Sequence, residues 1–407
     1  MAGESPLSMM QAGRPLPRRR AAPAAAVRSR PHRKLWAFLG PVAAIIVVAG
    51  GWSALWYYAA NVAEHTLAGW IAREAAGGRI YTCGSEGISG FPFRIQTHCT
   101  QAGATLNTVQ PPLAVATQDI TFTAGVFHPT TLVGDITGPL TVAAPGQPPN
   151  LTANWSSAEI SVSGLPPQPD TLSVDLARPQ LDRGAGADAA TLFAADGADF
   201  QARIVEGSAN NHPVIDAVLH LASATAPALH SALVKPLQGD IEVVVRGFND
   251  LAPKPLAEHF RELQASGGSI AVKSLRIERS DATVVGSGTL TVKPDGKLDG
   301  VINVAISGIE SIVPDLGIDK MIGQGIDRLA GVSGQSGEGG LAALDRLMPG
   351  LSGVVTAGAN ASLIDDLKKM GQQTEIDGKP ATVLPLRFAD GAVYLGMIRI
   401  GEVPALF

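Results

Sequence analysis

The sequence predicts a mainly β chain with a few helices: an N-terminal transmembrane helix followed by a long, curved, mostly antiparallel sheet. Three observations carry this reading. Leu35 to Ala63 contains no charged side chain, and a bilayer core about 30 Å thick needs roughly 20 such residues in a helix. Beyond it, short runs of Val, Ile, Leu and Thr are separated by turn residues among 46 Gly and 29 Pro, with aromatics at only 5%, a composition of strands and turns rather than of a helical bundle. The runs follow one another closely, as antiparallel neighbours do. If the apolar side of such a sheet is not filled from within, it forms an open groove.

In chain order, residues 1–34 read as a disordered, basic cytoplasmic tail, without hydrophobic periodicity. Eight cations, Arg14 to Lys34, precede the apolar run against the single acid Glu4, so the positive-inside rule keeps the N-terminus in the cytoplasm. Residues 35–77 form the transmembrane helix and its extension, with Trp36 at one end and Trp52, Trp56, Tyr57 and Tyr58 at the other, the two headgroup levels of an aromatic belt. A cleaved signal peptide is the competing reading, but the run is long for a signal core of about 7–15 residues. The helix continues past the membrane to Gly77-Gly78, and an unbroken continuation makes it a stalk that holds the following domain away from the bilayer.

Residues 78–407 are read as a periplasmic β-rich domain. With the tail set aside, 23 basic and 35 acidic side chains remain, which excludes nucleic acid as a partner, since phosphate binding relies on clustered cations. Cys83 and Cys99 both fall in this part, where an oxidising compartment makes one disulfide. The metal alternative has only His98 as a third ligand and no CxxC spacing. Between the cysteines lies Phe91-Pro92-Phe93-Arg94, a candidate surface motif: the phenylalanines as a docking surface, Arg94 for an anionic head group. The plainer reading turns Phe93 and Ile95 inward and leaves Arg94 solvated.

The stretch CGSEGISGFPFRIQTHC, with the basic tail, the single span, the helix around Trp70 and the C-terminal PLRFADGAVYLG ending near Pro404, resembles the alphaproteobacterial, membrane-anchored family known as domain of unknown function 2125. The resemblance covers most of residues 35–407. It implies a bacterial inner-membrane protein facing the periplasm, and it implies no reaction.

From residue 104 to 251 the strand runs include Leu113 to Phe127, Thr131 to Ala143, Leu151 to Val162, Thr171 to Leu176, Phe200 to Glu206, Val214 to Ala222 and Asp240 to Arg246, with no fixed repeat period. Helices are expected near 256–265, 309–330, 341–348 and 363–370. Ala282 to Ser307 is a β-hairpin turning at Lys293 to Lys297, with Val284, Leu290 and Val292 meeting Leu298, Ile302, Val304 and Ile306 on one candidate groove face. A last hairpin turns at Asp390-Gly391 and pairs Thr382–Phe388 with Val393–Ile400.

Motifs for chemistry are missing. HExxH, EF-hand, P-loop and dinucleotide signatures do not occur, and the two near-matches to a serine nucleophile elbow lack the final glycine. The eight histidines include no i,i+4 pair. Asp170, Asp175, Asp196 and Asp199 are the one place for a paired-carboxylate mechanism. No catalytic residue, metal or cofactor is therefore assigned. The functional expectation is a membrane-anchored protein that binds or transfers lipid along an apolar groove, by fold-level analogy with AsmA-like and TULIP-like architectures. In it residues 309–348 act as a cap or lid. The alternatives are a non-catalytic envelope scaffold that binds proteins through its loops and, less favoured, a periplasmic hydrolase. The partner is membrane lipid, or envelope proteins in the scaffold reading; oligomeric state is left open.

Overall fold

The computed structural model describes residues 32–109, 111–165, 168–184, 189–252, 254–315 and 364–407. The chain divides at Leu55/Trp56 into two units, the second running from Trp56 to Phe407. The helix α1 (His32–Ala76) belongs in part to each. It is long and apolar enough to cross a membrane, and it ends where Gly78 takes φ +81° and its N–H bonds back to Ala75 O at 3.0 Å, a glycine C-cap. The expected basic tail lies almost wholly outside the described residues.

Strands follow in runs that are each broken by two residues. The first are β1 (Arg79–Thr82) with β2 (Ser85–Ser89), β3 (Arg94–Thr100) with β4 (Gly103–Leu106), and β5 (Leu113–Ala116) with β6 (Asp119–Gly125). Then come β7 (His128–Thr137) with β8 (Leu140–Ala143), β9 (Leu151–Asn154) with β10 (Ser157–Ser163), β11 (Thr171–Ala177) with β12 (Gln180–Arg183), and β13 (Ala190–Ala194) with β14 (Gly197–Ser208). Each run gives one segment to each of two sheets. The small sheet has the order β1-β4-β5-β8-β9-β12-β13, and the large one begins β2-β3-β6-β7-β10-β11-β14. The breaks line up. Gln118 O accepts from Gln101 N, Ala102 O from Thr117 N at 2.8 Å, and Asp196 O from Arg178 N at 2.9 Å. The backbone groups that leave the ladders are thus paired across a common crease.

The expected runs Leu113–Phe127, Thr131–Ala143 and Leu151–Val162 are each two strands, parted at Thr117-Gln118, Gly138-Pro139 and Trp155-Ser156. In two runs the apolar positions shift parity across the break: Leu113 and Val115 give way to Ile120 and Phe122, and Leu151 and Ala153 to Ile160 and Val162. One extra residue in the chain requires that shift if apolar side chains are to stay on one side.

The large sheet continues with β15 (Asn211–Ala224), β16 (Leu237–Arg246), β17 (Ser269–Arg279), β18 (Ala282–Val292), β19 (Leu298–Ser307), β20 (Gln372–Ile376), β21 (Lys379–Ala389), β22 (Ala392–Leu395) and β23 (Ile398–Glu402), every pairing antiparallel. The predicted hairpin is β18–β19, in the expected register: Val284 opposes Ile306, and Val292 opposes Leu298. The last hairpin differs. Gly396, at φ +62°, breaks the expected Val393–Ile400 strand into β22 and β23, which fold onto each other. Helix α2 (Leu256–Ala265) matches its expected span. Of the expected helix 309–330, α3 (Ile309–Asp315) is described; a further helix, α4, covers 364–370. Residues 316–363, with the expected helix 341–348, lie outside the described residues.

Candidate functional site

Cross-strand register sorts the large sheet into two faces, because paired residues share a side. One row runs Gly134, Ile160, Val174, Phe200, Leu219, Ile241, Leu275, and continues through Gly286 and Val304 to Leu384. The next runs Leu132, Val162, Leu172, Ala202, Ala217, Val243, Val272, Gly288, Ile302, Leu386. No polar side chain interrupts either row.

Burial along this face is uneven. At the β18–β21 end, Val304, Leu384, Ile309, Val313 and Leu367 form a cluster no more than 4% exposed, with α3 and α4 supplying the last three. The expected groove residues Val284, Leu290, Val292, Leu298, Ile302, Val304 and Ile306 do lie on one side, but all except Val292 belong to this cluster or pack against it, and Val292 is itself buried. Their stretch of the face is filled by the chain itself. Towards β6 the described residues cover the face less completely: Phe122 is 41% and Leu172 36% exposed, and Ile160, Val174, Phe200 and Leu219 are half-buried. The incompletely covered apolar surface therefore sits on strands that sequence reading identified as strands without assigning them to the groove. Its signal was their alternation, visible run by run. The part of the expected lid that is described, α3, is a component of the core.

The disulfide between Cys83 and Cys99 is present, with Cα atoms 5.6 Å apart. It joins the β1–β2 break to β3, where Cys99 opposes Glu86. The β2–β3 turn holds the candidate motif. Gly90 has φ +101°, and a Cβ there would meet Arg94 O at 2.8 Å, so only glycine fits. The Phe91-Pro92 peptide is cis. Phe93 is not turned inward: it is 55% exposed and stacks on Phe127 of the β6–β7 turn at 5.9 Å. Phe91, 51% exposed, packs edge-on against Trp56 at 5.6 Å and stacks on Tyr57. Trp56 itself is buried, and its indole N–H donates to Arg94 O at 2.7 Å. With Trp70 against Tyr81 at 5.0 Å and Glu74 paired to Arg79, α1 from Trp56 onward lies along the β strands. That length of helix is not a free stalk.

The opposite face of the large sheet is polar. One level crosses Asp135, Glu159, Asp175, Asp199, His220, Asp240 and Arg276 on seven neighbouring strands. A hydrogen bond to Asp199, burial, and the charges of Asp199 and Glu159 raise the Asp175 carboxyl above its ordinary pKa. Asp175 and Asp199 hydrogen-bond each other, too close for carboxyls that flank a glycosidic bond at about 5–9.5 Å. Asp170 accepts from Ser163 Oγ at 3.0 Å at a turn, and Asp196 lies at the crease. His220 Nδ1 meets Asp240 at 2.5 Å. His98 Nδ1 meets Thr121 Oγ1 at 2.9 Å, but its other nitrogen is 3.8 Å from Asp119, beyond hydrogen-bond reach. Asp216, 4% exposed, is held below its ordinary pKa by the hydrogen bond from Arg203 at 2.9 Å, with Lys273 also nearby. Among the described residues, no group of three or more His, Cys, Asp or Glu side chains is placed to hold a metal ion.

A cleft of about 400 Å³ lies between the β17–β18 turn, the start of α3 and β21. Two of its cations, Arg279 and Lys368, are engaged structurally. Arg279 bonds Asp281 and Ser311 O, and Lys368 pairs with Glu310. These are contacts that hold α3 and α4 on the sheet.

The model of one protein family, described as "Uncharacterized protein conserved in bacteria (DUF2125)", matches residues 56–404. The chain belongs to this family. The DUF2125 match begins at Trp56, so it takes in the whole creased sheet and the disulfide-linked turn and leaves out the helix before Trp56. Comparisons with curated proteins and with solved structures find no match for this DUF2125 member.

Proposed function

We propose that this chain is held by α1 in a bacterial inner membrane, with residues 78–407 in the periplasm, and that the apolar face of the large sheet binds the acyl chains of membrane lipid. Head groups stay in water and no covalent chemistry occurs. The observation that supports the reading is the pair of uninterrupted apolar rows from β7 to β17, half-buried at Ile160, Val174, Phe200 and Leu219, where among the described residues no helix completes a core as α3 and α4 do at the other end. Apolar surface left to water costs roughly 25 cal/mol per Å², and an acyl chain laid across the strands removes that cost without any polar contact. The AsmA-like and TULIP-like likeness remains an analogy of architecture.

Photo-crosslinking in cells tests it. A benzophenone amino acid at Val174 or Leu219, on the apolar face, is expected to give phospholipid adducts; the same group at Ser173, on the polar face, is not. Adducts with protein at Val174 favour an envelope scaffold, and the absence of lipid adducts at both apolar sites refutes lipid binding.

A further inference from the structure

The aromatic turns beside α1 carry a second assignment: we infer that the β2–β3 and β6–β7 turns are seated in the bilayer surface, so that the β domain rests on the membrane rather than standing off it. The inference rests on the reading of α1 as a membrane span, and does not depend on lipid binding by the sheet.

Five rings form two contacting groups on these turns: Trp56 and Tyr57 of α1 with Phe91 of the first turn, and Phe93 of the first turn with Phe127 of the second. Four of them keep between 51% and 69% of their surface in solvent. Tyr58, the next residue of α1, is 70% exposed. Exposed aromatic surface of this extent, with Tyr57 stacked on Phe91 and Phe93 on Phe127, is a surface shaped for a partner.

The partner's chemistry follows from what surrounds the rings. From Gly87 to His98 the only acid or permanent cation is Arg94, and from Ile120 to Gly134 there is no acid or permanent cation at all. Next along the same edge, the β10–β11 turn carries Asp170, and Glu206 lies near the end of β14; neither turn has a Phe, Tyr or Trp. The aromatic, acid-free character is thus confined to the two turns beside α1, in a domain where acids outnumber bases.

Position along α1 selects a lipid surface over a protein. The charge-free run begins at Leu35, and about 20 helical residues cross the hydrocarbon core, which brings Trp56, Tyr57 and Tyr58 to the level where Trp and Tyr collect in membrane proteins. Phe91 touches Trp56 and Tyr57 directly. The turns therefore share the headgroup level of the helix. Phe91, Phe93 and Phe127 supply apolar area to the upper acyl region, and Arg94 meets anionic head groups.

The test uses the full chain in vesicles of phosphatidylethanolamine and phosphatidylglycerol, with nitroxide spin labels on single introduced cysteines and the native disulfide left oxidised. Labels go at Phe127 (69% exposed), at Val47 in the charge-free run (72% exposed) and at Leu229 (73% exposed), between β15 and β16 at the crease end of the large sheet. Collisions with oxygen report lipid, and collisions with a water-soluble nickel chelate report solvent. The expected result is Val47 and Phe127 both shifted toward oxygen and Leu229 toward nickel. Val47 in lipid with Phe127 in water overturns the docking and leaves the anchor standing; Val47 in water overturns both. A Phe127 label shielded from both reagents places protein on the turns and also refutes the inference.

Discussion

Leu384 and Leu172 have the same side chain and lie on the same face of the large sheet, yet they are 1% and 36% exposed. Truncating each to alanine tests whether the face is covered at one end only. At Leu384 the lost methyl and methylene groups leave a hole beneath α3 and α4, so both the transfer and the cavity terms apply. The expected cost is about 2–5 kcal/mol. At Leu172 much of the side chain is already in water and no enclosed hole forms. The transfer term alone, roughly 25 cal/mol per Å² over the part that is buried, gives about 1 kcal/mol or less. Chemical denaturation of each variant, followed by the circular dichroism of the strands at matched lipid content, measures the difference. Equal losses at the two sites would mean that the face is closed along its whole length, and the argument from partial burial would fail.

Removing the disulfide by Cys83→Ala with Cys99→Ala closes no loop in the unfolded chain and is expected to cost about 3 kcal/mol, read as a lower denaturation midpoint that reductant no longer changes. Asp175→Asn relieves like-charge contact with Asp199 and Glu159 and is expected to stabilise by roughly 0.2–1 kcal/mol at neutral pH. Its sign with pH is set by the raised carboxyl. The folded state keeps that proton above the ordinary carboxylate range, so its contribution to stability falls as pH rises through the raised pKa. The variant's advantage should therefore vanish in acid, which denaturation midpoints across pH will show. Arg203→Ala leaves Asp216 with Lys273 at 3.5 Å. Because Arg203 is itself largely exposed, the loss is expected to be about 1 kcal/mol rather than that of a fully buried pair. Asp216 has a depressed pKa, so this stability is present above the ordinary carboxylate pKa and is lost as pH falls through the depressed one. Urea midpoints for wild type and variant should then converge in acid.

The apolar N-terminal helix, the disulfide, α2 and the β18–β19 register were legible because each rests on a local signal: an uncharged run, two cysteines close in sequence with no third ligand set, an amphipathic stretch, strict alternation around Pro294-Asp295-Gly296. The crease was not legible. A two-residue break such as Thr117-Gln118 leaves composition unchanged and only shifts the parity of apolar positions, so Leu113 to Phe127 reads as one strand. The division of the apolar face into filled and partly covered stretches was also out of reach. It depends on where α3 and α4 land, and Ile309, Val313 and Leu367 carry no mark that they cover Val304 and Leu384. Phe93 failed for a related reason. Alternation from Ile95 points it inward, but Phe93 lies before the first residue of β3, in the turn that follows Gly90, where Phe127 is its neighbour.

The two-residue breaks make the fold extensible. Each run enters one sheet, crosses the crease and leaves in the other, so two successive runs bring the chain back to the same edge in the same direction. Inserting or deleting such a pair preserves every other pairing, keeps apolar positions on their own side and changes only the width of the sheet, by about 9–10 Å at 4.7–4.9 Å per strand. The chain thus contains a built-in ruler. Duplication of one such pair of runs, His128 to Ser163 for example, would widen the surface in one step and leave both the aromatic turns and the C-terminal core untouched.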